Sequence, residues 1–150
     1  MRAVIQRVAS SRVRVGADTV GHIDRGLLVF LGIGRDDNDA DVRYMVGKIR
    51  DVRVFEGENR KPMDRSVVDV GGAVLMVSQF TLYGDVRKGR RPSFDEAAMP
   101  DVARGMYDAV VRELRATGLV VSTGEFQAMM QVELINDGPV TVLVDSRKQF

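Results

Sequence analysis

From Ala3 to Val15 the apolar residues Val4, Val8, Val13 and Val15 are spaced by polar ones, the signature of a half-buried strand. Gly16-Ala17-Asp18 offers a turn before Thr19-Val20-Gly21, so the chain should open with antiparallel β structure. The short run Gly26 to Ile33 is apolar throughout and predicts a strand covered on both faces. After the acidic Asp36-Asp37-Asn38-Asp39, the residues Val42, Met45, Val46, Ile49 and Val52 recur at helical spacing. An amphipathic helix with negative charge at its positive end is expected there.

Val52–Phe55 and Ala73–Gln79 read as further strands, with Glu56–Asp64 and Gly71-Gly72 as turns. Ser93-Phe94-Asp95-Glu96 matches a capping box, and Pro100 suits the first turn of a helix carrying Val102, Met106, Ala109, Val110 and Leu114, closed by Gly118. The last third holds Leu119–Val121, Met130–Ile135 and Val140–Val144, three β-like runs broken by Gly124 and by Asn136-Asp137-Gly138-Pro139. Two helices among about eight strands, without repeats or linkers, predict one mixed α/β domain over residues 1–150 with helices covering one side of the β structure.

Composition narrows the chemistry. The chain has no cysteine, which excludes thiolate nucleophiles, disulfides and cysteine-based metal sites, and one histidine, which excludes a histidine-rich metal site. The starting run MRAVIQRVAS alternates as a strand does and unlike a signal peptide, and no apolar stretch approaches membrane-helix length. A soluble, cytoplasmic protein is expected. With 22 Lys+Arg against 21 Asp+Glu, net charge is +1 and does not decide for or against nucleic acid.

Four local features invite function, and each has a plain structural reading. Gly32-Ile33-Gly34 follows a strand and precedes a helix, but the third glycine of a dinucleotide fingerprint is missing and Asp36 and Asp37 stand where phosphate would lie, so a glycine-lined turn is preferred. His22 sits near Gly21 with no G-x-S-x-G motif anywhere to partner it, and reads as a surface histidine. Arg87, Lys88, Arg90 and Arg91 put four positive charges within five residues, either a phosphate-binding loop or a solvated one. Ser78-Gln79-Phe80-Thr81-Leu82 closes a buried-looking strand with polar side chains, which form a satisfied strand end or the wall of a pocket.

Taken together, Ser78-Gln79-Phe80-Thr81-Leu82, Lys88-Gly89-Arg90-Arg91-Pro92-Ser93-Phe94 and Asn136-Asp137-Gly138-Pro139-Val140-Thr141 resemble the signature segments of the D-aminoacyl-tRNA deacylase family. The N-terminal run Met1–Val8 is similar to that family's start, and the likeness runs end to end. The resemblance implies a β-rich core of two β layers with helices on one side, and a homodimer with two active sites at the subunit interface. It also implies hydrolysis of the ester bond of D-aminoacyl-tRNA, and of glycyl-tRNA mischarged on the wrong tRNA, with no metal or organic cofactor. Each site would be lined by Ser78, Gln79, Phe80 and Thr81 of one chain. Gly138-Pro139, cis by resemblance, would reach in from the other and reject L-aminoacyl esters.

Phe126 and Met130 match an aromatic and a methionine of the family's pocket, while Gln127 stands where glycine is common and Met129 where aspartate is common. In this light Arg87, Lys88, Arg90 and Arg91 become candidate tRNA contacts. Gln79, Phe80 and Thr81 are the candidate catalytic residues, through backbone amides that stabilise an oxyanion and side chains that position substrate. Thr81 has no base beside it in the motif, so covalent catalysis is the lesser alternative. Two rival functions stay open: a non-catalytic RNA-binding module, and hydrolysis of small esters or D-amino-acid peptides.

Overall fold

In the computed structural model, which describes residues 1–150, one long strand organises the sheet. Strand β1 (Arg2–Val15) is paired along both edges. On one edge lie β2 (Asp18–Ile23), with Arg12 opposite His22, and β3 (Gly26–Gly32), with Val4 opposite Phe30. On the other lies β6 (Gln131–Asp145), with Arg12 opposite Glu133 and Val4 opposite Leu143. Gly16, at φ 58°, makes the predicted turn between β1 and β2.

Strand β4 (Ala73–Ser78) adds to β3 in parallel, and the short β5 (Val121–Thr123) adds to β4 in parallel. The sheet coils until β5 meets β2, where Ser122 Oγ donates to the His22 carbonyl at 3.0 Å. Any side chain at Gly21 would collide with the Thr123 carbonyl at this seam. The result is a mixed sheet forming a nearly closed barrel, with two helices outside it. The two β layers expected are thus opposite walls of one coiled sheet, because β1 and β6 are long enough to bend around it.

Alternation in β3 feeds two cores, which explains its burial on both faces. Leu27, Val29 and Leu31 face the helices and pack with Met45, Ile49, Val110 and Leu114, whereas Leu28 joins Val8, Val13, Ile23, Leu75 and Val77 on the other side. Each such side chain contributes roughly 1.5–3 kcal/mol by leaving water.

Helix α1 (Asp39–Asp51) starts at the acidic stretch as predicted. Asn38 accepts the Ala40 N–H at 2.9 Å, and Asp41 accepts the Asn38 N–H at 2.9 Å, completing a capping box. Asp37 turns the other way. Its carboxylate lies 2.7 Å from the Met1 α-ammonium and accepts the Gly34 N–H at 2.6 Å, so an internal anion occupies the glycine-lined turn.

Helix α2 (Pro100–Ala116) begins at the predicted proline, but Met99 is its N-cap and the Ser93–Glu96 box is not used. That segment is spent elsewhere: Ser93 bridges Asp85, and the Glu96 carbonyl accepts the Arg35 N–H at 3.0 Å. Gly118, at φ 89°, follows the helix. The predicted Val52–Phe55 strand is absent, because the Val54 and Phe55 N–H groups both turn to the Arg65 carbonyl in a local loop that plugs the core. Six strands replace the eight expected, since Met130–Ile135 and Val140–Val144 belong to the single strand β6, which bulges at residues 136–140. No helix is long and apolar enough to cross a membrane.

Candidate functional site

Strand β4 delivers the polar motif to the mouth of a cavity. The Gln79 N–H donates to the Leu31 carbonyl at 2.8 Å, the last ladder bond, and the chain then tightens into a 3-10 turn at Phe80–Tyr83. The Phe80 and Thr81 N–H groups open that turn and have no partner within it. The Gln79 carboxamide donates to the Thr81 hydroxyl, and the exposed Phe80 ring meets Phe94 edge-to-face at 5.0 Å.

The cavity measures about 730 Å³ and brings Ser78, Gln79 and Phe80 together with Phe126 and Met130. These are five of the sequence-predicted site residues, and Thr81 joins them through Gln79. Phe126 is held between Tyr107, at a ring separation of 6.1 Å, and the Arg104 guanidinium 4.8 Å from its centroid. Tyr107 donates to the Met76 carbonyl, and burial holds its hydroxyl protonated well above the usual tyrosine range. Gln127 and Met129 both line the rim; Gln127 adopts φ 64°, a conformation that glycine reaches without cost, and Met129 is 91% exposed.

No residue lining the cavity carries a side chain that ionises near neutral pH, so what the site offers is amide donors, an apolar wall and excluded volume. Nowhere do three His, Asp or Glu side chains converge as ligands for a metal ion. His22 is exposed on β2, 3.5 Å from Asp24, and lies outside the cavity.

Gly138-Pro139 is cis, as expected, but does not line this cavity. It is exposed at a separate shallow hollow of about 320 Å³ beside Arg7, Arg60 and Met63. Arg7 secures the segment: its Nε donates to the Asp137 carbonyl at 2.9 Å, and its Nη1 donates to the Val54 carbonyl. The sequence reading missed Arg7. Its signal was the consecutive polar pair Gln6-Arg7, which breaks the alternation of β1 where its register with β6 shifts.

The basic loop divides into two kinds of cation. Arg87 is clamped by Asp85 through two of its nitrogens, at 2.6 and 2.9 Å, and it lowers the Asp85 carboxyl to about 2. Lys88, Arg90 and Arg91 form no ion pair and project into solvent. Reciprocal backbone bonds between Asp85 and Ser93, at 2.9 and 3.0 Å, anchor the loop beside Phe94 at the cavity wall.

The sequence likenesses of this chain agree with one another. A family profile described as D-Tyr-tRNA(Tyr) deacylase matches residues 4–145. The D-aminoacyl-tRNA deacylase of Koribacter versatilis (strain Ellin345) is 59% identical over 150 residues, and that of Clostridioides difficile (strain 630) is 55% identical, each covering 100% of both chains. Among solved structures, the c-Myc DNA Unwinding Element Binding Protein superposes with a TM-score of 0.92 at 42% identity, covering 97% of this chain and 98% of its own.

Proposed function

This chain belongs to the D-Tyr-tRNA(Tyr) deacylase family, and on that premise we propose that it hydrolyses the ester of D-aminoacyl-tRNA, releasing the D-amino acid and tRNA. The observation that carries the reading is the unionised cavity at the end of β4, where free N–H groups border an apolar wall large enough for an amino-acid side chain.

Ester hydrolysis passes through a tetrahedral intermediate whose oxyanion is stabilised by donors already in place. The Phe80 and Thr81 amides supply them. An aminoacyl ester is activated, so a positioned water, assisted by the neighbouring ribose hydroxyl of the tRNA, attacks the carbonyl carbon without an acid or base from the protein. The ester C–O bond breaks, and the departing ribose oxygen takes up the proton that the water gives up. Gln79 and Thr81 orient the ester, and Ser78, Phe126 and Met130 shape the space around the aminoacyl group.

Chiral selection is assigned to Gly138-Pro139 of a second subunit. Within one chain this pair is exposed and outside the cavity, which supports a role in trans across a homodimer. Its backbone then stands where an L side chain would project, while a D side chain points away and glycine has nothing to clash. Glycine misattached to the wrong tRNA is therefore also a substrate, and discrimination among D side chains is weak. Lys88, Arg90 and Arg91 neutralise phosphates of the tRNA, a cytoplasmic partner.

Mixed dimers test the arrangement. One subunit carries Gln79→Ala and the other Gly138→Ala, with different tags for purification. A site shared across the interface leaves one of two sites free of lesions, giving roughly half the wild-type rate. A rate no higher than that of either homodimer variant contradicts sharing, and a wild-type protein that binds charged tRNA without turnover supports the binding-module alternative.

A further inference from the structure

We infer that Arg2 is a positioning residue for this reaction, holding the exit of the 3-10 turn whose leading residue, Phe80, lines the cavity. The inference rests on the catalytic reading of that turn.

A four-residue 3-10 turn does not hold itself. Its backbone closes through i to i+3 bonds that include Leu82 N–H to the Gln79 carbonyl at 3.3 Å and Gly84 N–H to the Thr81 carbonyl at 2.9 Å, and so short a 3-10 run does not offset the ordering of the segment by itself. Its entry is tied to β3 at Leu31. Its exit is tied by Arg2, which lies outside the cavity on the far side of the turn.

Arg2 engages the exit in two ways. Nη1 donates to the Leu82 carbonyl at 3.1 Å, satisfying a carbonyl at the turn's C-terminal end, and the guanidinium lies 4.6 Å from the centroid of the Tyr83 ring. Tyr83 is also packed tightly against neighbouring backbone: a methyl group on Gly34 would come within 2.7 Å of the phenol oxygen. The remaining nitrogens of Arg2 are anchored as well, Nε to the buried Asp145 at 3.4 Å and Nη2 to Gln149 at 3.1 Å. Only a planar fork of donors can satisfy these acceptors while also covering a ring.

The test compares Arg2→Met, which retains most of the aliphatic stem, and Arg2→Lys with the wild type, all in the full chain. Turnover of D-tyrosyl-tRNA and hydrogen exchange at the Gly84 amide are both measured. For Arg2→Met the expected result is a fall in kcat of about tenfold, with KM changed by less than about twofold and Gly84 exchange accelerated while the amides of α1 and α2 stay protected. Arg2→Lys restores part of kcat, and added guanidinium ion restores part of it to Arg2→Met. Unchanged kcat with unchanged Gly84 exchange overturns the inference, as does a rise in KM alone. A wild-type chain that fails to hydrolyse the D ester defeats the functional reading and the positioning role of Arg2 in the reaction with it, and the exchange data then report separately whether Arg2 orders the turn.

Discussion

The side-chain amide of Gln79 donates to the hydroxyl of Thr81, two residues further along the same turn. That bond takes up one of the two lone pairs of the hydroxyl oxygen and fixes its orientation, and no general base lines the cavity to take the hydroxyl proton. Thr81→Ala is therefore expected to keep at least about a tenth of wild-type kcat, and Thr81→Ser to be near normal. Rapid-quench kinetics should show no burst of released tRNA, since no acyl-enzyme accumulates.

Gly138 has φ 131°, and a Cβ there would stand 2.7 Å from Arg7 Nη2 and 2.9 Å from Val140 Cγ2. Gly138→Ala should displace the segment from the bonds that Arg7 gives it. Loss of D-ester turnover, or a D-to-L preference reduced by about tenfold or more, is the expected outcome in a protein whose circular dichroism is unchanged. Arg7→Lys, which keeps the charge and loses the fork of donors, should move selectivity in the same direction by a smaller amount.

Charge reversal separates the cations of the basic loop. Arg90→Glu with Arg91→Glu is expected to raise KM for charged tRNA by about tenfold and to flatten the salt dependence of binding, with kcat nearly unchanged. Arg87→Gln should do less, because Asp85 already holds that guanidinium. Binding curves at several salt concentrations check both.

Because nothing lining the cavity titrates near neutrality, the kcat profile between about pH 6 and 8 should show no bell, and His22→Ala should match the wild type. Stability has a different window. Burial raises the Tyr83 and Tyr107 hydroxyls above the ordinary value of 10.0, so the folded chain keeps protons that the unfolded chain releases. Their contribution is intact below pH 10 and is lost as pH rises further. Tyr107→Phe should begin less stable by about 1 kcal/mol, through loss of the bond to Met76, and then fall less steeply in alkali. Thermal melts across alkaline pH decide it.

Local chemistry was readable where it acts locally. The Gly16 turn, the acidic entry to α1, Pro100 at the start of α2 and the two-faced burial of β3 all follow from spacing and turn residues. What was not readable depends on competition among distant segments. Val52–Phe55 has the composition of a strand, but its N–H groups find Arg65 first; Ser93–Glu96 has the letters of a cap, but Asp85 and Arg35 claim it. The joining of two apolar runs into β6 depends on both of them pairing with β1 at the far end of the chain, which no window along the chain reveals. At the site, spacing alone left Ser78–Leu82 undecided between strand end and pocket wall. The structure brings it to Phe126 and Met130, and adds Arg7 and Arg2, whose contacts span 130 and 80 residues of sequence.

Chirality-selective ester hydrolysis is tested most directly by release of amino acid from D-tyrosyl-tRNA and L-tyrosyl-tRNA, measured side by side with and without a chelator. A chirality-selective deacylase gives rapid, chelator-resistant loss of the D ester with the L ester left intact. Equal loss of both esters, or of neither, would contradict it.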